Sequence, residues 1–424
     1  MKRFFTKSDF SKNTLILVSG TVVAQAIPLI LHPFLRRIYT PEDFGAMAVF
    51  LSIFSMVTIV ASLRYEATIV LPKEDSDAAN ILGLTFIISL IFNAIILSMI
   101  VIFKDSILNL IGLPLKFGNF IYLLPLTSFL FSFYQSLNYW LVRQKAFKAS
   151  SINKIVRRAV EGTTQLSLGL LKIPGGLFIG DFLGNFSNVI SGIRQIFKHN
   201  FSTTTITKND IVIVLKRYID YPKYNVVPTL LSSAASLLPF LFINKFYSTE
   251  AVGYLDLSRM ILSIPLIFIS ATIAQVLFQQ MTEKKHQLIS IKRDLINIFY
   301  LLIGIIALEA IVLFLFGDEL FKLIFGDNYI LSSVYSKILI FSFSVNFITS
   351  TFSSVYITFD KIKLNSIWQI AYFGSICCLL FFTKIELIEF IKIYVGIEVI
   401  MSLINCLMLF SIVKTYEQTL IEQK

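Results

Sequence analysis

The sequence predicts an all-α integral membrane protein, with about twelve transmembrane helices in two parallel six-helix lobes around a central cavity and both termini cytoplasmic. Three observations carry this expectation. The 424 residues are 56% hydrophobic and only 15% charged, with a mean hydropathy of +0.77, too apolar for a soluble protein. Apolar runs alternate with short charged connections along the chain. A short phrase, "IYTPEDFG" at 38–45, returns as "FYSTEAVG" at 246–253.

A spanning helix needs about 20 mainly apolar residues. The apolar runs that meet this length are 14–37, 45–63, 79–103, 117–141, 159–173, 177–196, 225–243, 253–279, 295–316, 330–358, 365–383 and 387–413. Span five is the weakest, diluted by Gly162, Thr163, Thr164 and Gln165. The start of the chain, with "MKRFF", an apolar run from Leu15 to Val23 and Ala24-Gln25-Ala26, has the parts of a signal peptide. Apolar character continues from Ile27 to Leu35, so the segment is expected to remain as the first span.

A net charge of +11 would suggest nucleic acid in a soluble chain, but here it reports topology. With the N-terminus inside, the inner segments hold 26 of the 37 Lys and Arg residues, which places both ends in the cytoplasm. Each copy of the repeated phrase follows the first span of a six-span half, at the start of the next helix. Thr40 and Ser248 can cap that helix, Pro41 suits its first turn, and Glu42 and Glu250 favour the positive end of its dipole. Six is an even number, so a duplicated half keeps its orientation and the lobes are parallel repeats. The division is expected at 1–196 for the first lobe, 197–221 for a cytoplasmic linker and 222–424 for the second lobe.

Ionisable residues inside spans are costly and are the functional candidates by default. Arg259 lies in span eight, three residues after Asp256, on one helix face with it. Arg36 and Arg37 end span one, with Lys245 at the place of Arg37 in the second half, and snorkelling to headgroups accounts for all three. Arg64 and Glu66 close span two as an interfacial pair. Asp181, with Asn185 and Asn188 at helical spacing, lies in span six; Glu309 lies in span nine and Glu398 in span twelve. These carboxylates can take up a proton or coordinate sodium, Glu309 and Glu398 being the deeper. Gln25, Pro28, His32 and Pro33 make span one polar and bendable, as a gating helix or as one that kinks around its neighbours.

Signals for catalysis are weak. Asp75-Ser76-Asp77 is formally D-x-D, but it sits just before span three, where capping is the expected role. No metal-ligand spacing, P-loop or nucleophile motif occurs, and Cys377, Cys378 and Cys406 fall in apolar segments. No cofactor, metal or nucleic acid is expected, and the chain is not read as an enzyme.

Residues 39–82, "YTPEDFGAMAVFLSIFSMVTIVASLRYEATIVLPKEDSDAANIL", resemble the N-terminal region of Wzx-type O-antigen flippases, polysaccharide biosynthesis membrane proteins of the multidrug/oligosaccharidyl-lipid/polysaccharide (MOP) exporter superfamily. The resemblance implies alternating-access movement of an undecaprenyl-diphosphate-linked oligosaccharide from the inner to the outer leaflet of the bacterial cytoplasmic membrane, for O-antigen, capsule or related polysaccharide. It also implies H+ or Na+ coupling, contact with membrane lipids, and a polysaccharide polymerase and chain-length regulator as partners. Arg259, Arg64 and Arg36 are the candidates for holding the diphosphate, by charge-assisted hydrogen bonds. Glu309, Glu398, Asp181 and Asp256 are the candidates for coupling. A cation-coupled multidrug exporter of the same superfamily is the alternative, and a membrane glycan polymerase or ligase a remoter one; no outer connection is long enough for the catalytic loop of the latter.

Overall fold

The computed structural model describes residues 7–265 and 269–422, and no strand occurs among them. The helices are α1 Lys7–Ile38, α2 Pro41–Ala61, α3 Asp75–Ile111, α4 Leu123–Arg143, α5 Phe147–Leu170, α6 Gly176–Lys198, α7 Lys208–Arg217 and α8 Asp220–Phe246. There follow α9 Thr249–Pro265, α10 Ala271–His286, α11 Lys292–Phe325, α12 Ile330–Phe352, α13 Ser354–Thr358, α14 Ile362–Cys377 and α15 Leu387–Glu422. All twelve expected spans fall on helices among the described residues, span eight on α9 and α10 and span ten on α12 and α13. Eight stretches among the described residues are long and apolar enough to cross a membrane by length and composition alone. Helix α5, with Lys154, Arg157, Arg158 and Glu161, is too charged to join that set.

The chain packs as two compact units, Met1–Ser233 and Ala234–Lys424. Both copies of the repeated phrase start helices. In the first unit Thr40 Oγ1 accepts from Asp43 N, and Asp43 returns a carboxylate oxygen to Thr40 N at 2.9 Å, a capping box with Pro41 in the first turn. In the second, Ser248 Oγ accepts from Ala251 N at 3.0 Å. The Thr40→Ala change is expected to cost about 1 kcal/mol of stability, readable as a lowered unfolding temperature of the purified protein.

In the first unit, glycines let helices approach closely. A β-carbon on Gly180 would fall 2.4 Å from Gln165 Cγ, and one on Gly184 would fall 2.8 Å from Glu161 Cβ and 3.1 Å from the Arg157 carbonyl oxygen. The α6 glycines thus bring the α5 backbone within reach of Asp181. A Gly184→Val change overpacks this contact and is expected to cost about 1–3 kcal/mol, with a lowered melting temperature as the readout.

At one end of this unit Arg143 ties α4 to the segment entering α3. Its guanidinium donates to the carbonyls of Pro72 (2.5 Å) and Lys73 (3.0 Å) and to Asp75 Oδ1 at 2.8 Å. The D-x-D carboxylates are therefore ion-paired in the first turn of α3, Asp75 with Arg143 and Asp77 with Arg217, while Glu74 occupies the cap position. Arg143→Ala is expected to cost about 1–3 kcal/mol, because the Pro72 and Lys73 carbonyls lose a charged donor; limited proteolysis at the 71–75 connection is the check. The 199–217 segment docks on the same end. The Asn80 amide bonds Thr205 O and Thr207 N at 2.9 Å each, and Tyr65 donates to Leu215 O at 3.0 Å. Val214 of α7 is fully buried against it.

The second unit has its apolar core where α10, α11, α12, α13 and α15 meet, around Leu277, Met281, Leu302, Phe347, Val355 and Leu409. Ser258 of α9 donates to the Ser332 carbonyl of α12 at 2.7 Å. Helix α11 extends through Phe325, leaving only Gly326–Tyr329 before α12.

Candidate functional site

Two polar clusters lie inside otherwise apolar helix packing, one in each unit. In the second unit the cluster is built from α8, α9, α14 and α15. Arg259 of α9 donates through Nη1 to Ser236 O at 2.9 Å, and its guanidinium carbon stands 4.7 Å from the centre of the Phe240 ring. A helical carbonyl and an aromatic face are neutral partners, which leaves the remaining guanidinium donors for other ligands. Glu398 of α15 is buried and accepts from Tyr372 OH at 2.9 Å and Tyr394 OH at 2.8 Å. Arg259 lies within electrostatic range of Glu398, Asp256 and both tyrosines. The structure therefore brings Arg259, Asp256 and Glu398 together from two distant stretches of sequence. Trp368 stacks on Tyr372 at 5.4 Å and donates to Met401 O at 2.8 Å, fixing α14 against α15 beside the cluster.

In the first unit the cluster lies between α4, α5 and α6. Arg157 of α5 places Nη2 3.5 Å from Asp181 Oδ1 and Nε 4.0 Å from Glu161 Oε2. Arg158 holds Glu161 from the other side at 2.9 Å. Asp181 is 2% exposed, and Asn185 donates to its carbonyl and its Oδ1. Asp181 is thus buried inside the helix packing. Sequence reading missed Arg157 and Arg158 by assigning 143–158 to a connection; α5 begins at Phe147 and carries both within the helix.

Arg36 is a second departure. It is 1% exposed, with its guanidinium carbon 3.6 Å from the centre of the Phe44 ring, so it is held inside the packing of α1 on α2 and does not snorkel. His32, one turn earlier, lies 5.8 Å from the same ring. Pro28 and Pro33 sit within an unbroken α1, and Gln25 is exposed. Arg64 occupies the turn after α2 in a left-handed conformation, φ 63°, 3.7 Å from Glu66 Oε1, and Ser62 also donates to that carboxylate. Arg64 and Glu66 form an ion pair there. Glu309 has no hydrogen-bond or ion-pair partner among the described residues and lies on α11 between the exposed Leu308 and Ile311. Cys377, Cys378 and Cys406 are free thiols, and no group of three or more His, Cys, Asp or Glu among the described residues can hold a metal.

A family described as "Polysaccharide biosynthesis protein" matches residues 34–334. The chain belongs to this family. The match takes in Arg36, Arg64, Asp181, Arg259 and Glu309 of the polysaccharide biosynthesis family member and stops before Glu398. Among solved structures, a multidrug resistance MATE family transporter of the MOP superfamily, in an inward-facing conformation, is similar with a TM-score of 0.72 at 14% identity, covering 94% of this chain and 99% of that one. The lipid II flippase MurJ, in an inward closed conformation, is similar with a TM-score of 0.73 at 12% identity, covering 95% and 92%. A mutant of the Vibrio cholerae MATE transporter VcmN is similar at 0.60 and 13% identity, covering 97% and 96%. Comparison with curated proteins finds no match. At these identities the likeness establishes the fold: this member of the polysaccharide biosynthesis family is a multi-pass membrane protein with the helical architecture of MOP-superfamily transporters.

Proposed function

We propose that the protein is a Wzx-type flippase. It carries undecaprenyl-diphosphate-linked oligosaccharide from the inner to the outer leaflet of the bacterial cytoplasmic membrane by alternating access, for assembly of O-antigen, capsule or a related surface polysaccharide. The observation that carries this reading is Arg259, a partly buried cation in a polysaccharide biosynthesis protein whose direct partners, Ser236 O and the Phe240 ring, are both neutral. A diphosphate cannot enter hydrocarbon uncompensated, and guanidinium offers it paired, directional donors. Glu398, whose Oε1 accepts from both tyrosine hydroxyls, then acts as the counter-charge of Arg259 when no substrate is present. Arg36 and Arg64 remain candidates for the same headgroup, Arg36 as a buried cation on an aromatic face and Arg64 as the more exposed. Glu309, Asp256, Glu398 and Asp181 remain the coupling candidates for H+ or Na+, and a polymerase and a chain-length regulator are the proposed downstream partners. The excess of Lys and Arg in the segments read as inner supports cytoplasmic termini.

The second reading, a cation-coupled multidrug exporter, draws on the MATE-like fold. Reconstitution decides between them. Proteoliposomes loaded with short-chain undecaprenyl-diphosphate oligosaccharide in the inner leaflet are expected to expose it to an external glycosidase only when the protein is present. Ethidium efflux without glycolipid exposure would establish the exporter instead.

A further inference from the structure

Helix α14 carries its polarity on the side that faces protein. Asn365, Trp368, Gln369 and Tyr372 fall on one face of the helix, spaced by three and four residues. The opposite face is apolar and open, with Ile367 64% and Ile370 60% exposed beside Ala371 and Gly374. The helix belongs to a stretch, Lys363–Phe382, that is long and apolar enough to cross a membrane, so the open face suits lipid. The polar face is only partly covered. All four of its residues are half-buried, and the side-chain amides of Asn365 and Gln369 have no hydrogen-bond partner among the described residues. An amide left so within a span is costly in hydrocarbon, and is tolerated where water or a polar ligand reaches it.

The same face leads away from Arg259. Tyr372 donates to Glu398 Oε1 at 2.9 Å, within electrostatic range of Arg259. One turn further toward the Lys363 end, Trp368 stacks on Tyr372 with 4° between the rings and their centres 5.4 Å apart, and its Nε1 donates to Met401 O at 2.8 Å. The indole is therefore held by its edge and by one face before any ligand arrives, which lowers the entropy lost on binding. Gln369 lies beside it and Asn365 a turn beyond, so the face extends about 10 Å from Tyr372 at 1.5 Å per residue. No Asp, Glu, Lys, Arg or His occurs at 364–383, or at 399–413 on α15. Beyond Arg259 and Glu398 this face is neutral, made of aromatic rings and amides.

We propose that this face of α14 is a glycan subsite, in which Trp368 stacks on the first sugar of the substrate while Gln369 and Asn365 bond its hydroxyl or acetamido groups. The inference rests on the flippase reading and deepens it: Arg259 takes the diphosphate, and the adjoining neutral face takes the carbohydrate attached to it. A pyranose ring has an apolar C–H face, which suits an indole, and edge groups that both donate and accept, which suit a primary amide. An aromatic wall with a few convergent polar groups is the usual make-up of a small-molecule site. A cationic drug would be served by carboxylates, and α14 carries none. The polyprenyl tail gains nothing from two amides, and the apolar face of α14 lies on the other side of the helix.

The test compares the binding of two probes, undecaprenyl diphosphate and undecaprenyl-diphosphate N-acetylglucosamine, to the purified full-length protein in detergent. Wild type is expected to bind the glycosylated probe about tenfold more tightly, through ring stacking and amide hydrogen bonding together. In Trp368→Ala the two probes are expected to bind alike, with affinity for the bare diphosphate unchanged, and Gln369→Ala is expected to lose part of the preference. Arg259→Ala is expected to weaken both probes equally. The chain has two tryptophans, and Trp140 is fully buried in the first unit. Trp368→Phe keeps an aromatic ring against Tyr372 and serves if Trp368→Ala fails to fold. Wild-type emission is then expected to change with the glycosylated probe and not with the bare one, and the change is expected to be absent from Trp368→Phe. A wild type without preference for the glycosylated probe, a Trp368→Ala variant that binds both probes more weakly, or an emission change that survives in Trp368→Phe would each overturn the subsite. Each of these leaves the flippase reading standing so long as the bare diphosphate binds through Arg259. Binding of neither probe would sink that reading and the subsite with it.

Discussion

Replacing Arg259 with alanine is expected to abolish delivery of lipid-linked oligosaccharide to the outer leaflet in a protein that still reaches the membrane. The side chain makes one hydrogen bond to a helical carbonyl and one aromatic contact, so its removal breaks no ion pair within 4 Å among the described residues. What is lost is the charged donor set for the diphosphate. A hydrogen bond to a charged group contributes about 1.5–3 kcal/mol, so loss of even one such bond weakens headgroup binding roughly 10- to 150-fold. Arg259→Lys keeps the charge but not the paired donors and is expected to fall between wild type and alanine. The measurement is the dose dependence of glycolipid exposure in proteoliposomes, with each variant matched for reconstituted protein.

The largest effect on stability is expected at Arg157. Substitution by leucine deprives the buried Asp181 of its cation, Glu161 remaining paired with Arg158, and breaking one partner of a buried pair costs about 3–5 kcal/mol. Arg157→Leu should therefore accumulate poorly and lose its cooperative thermal transition in detergent. Combining it with Asp181→Asn removes the stranded charge and is expected to recover part of the loss. A double variant no more stable than Arg157→Leu would show that the two residues do not interact energetically.

Much of the architecture was legible because membrane helices announce themselves by length and apolarity. The twelve runs fall on helices, and the repeated phrase marks two helix starts through cap residues, Thr40 with Asp43 and Ser248, that a short motif can carry. Hydropathy does not report which face of a helix meets lipid. Glu309 lies deep along span nine by sequence, yet α11 is among the most exposed helices and leaves it without a partner among the described residues. Arg36 was read as snorkelling, because an arginine at a span end has that option, but Phe44 on the next helix offers it a ring. Arg157 and Arg158 were lost to a connection since the first half of α5 is as charged as a loop; the glycines at 180 and 184, which bring α6 against that charged face, were the signal that could have recovered them. Arg259 and Glu398 were each chosen from the sequence, but their meeting through Tyr372 and Tyr394 depends on packing of α9, α14 and α15, which no periodicity encodes.

The central claim, that this protein flips a lipid-linked oligosaccharide, is tested most directly by the sidedness of that glycolipid in cells. Spheroplasts of a strain lacking the protein would be treated with a membrane-impermeant glycan-modifying reagent, beside strains complemented with wild type and with Arg259→Ala. The account predicts glycolipid that accumulates beyond reach of the reagent in the deletion and Arg259→Ala strains and becomes modified on wild-type complementation. Unpolymerised glycolipid equally accessible in all strains, or lipid pools unchanged by the deletion, would contradict it.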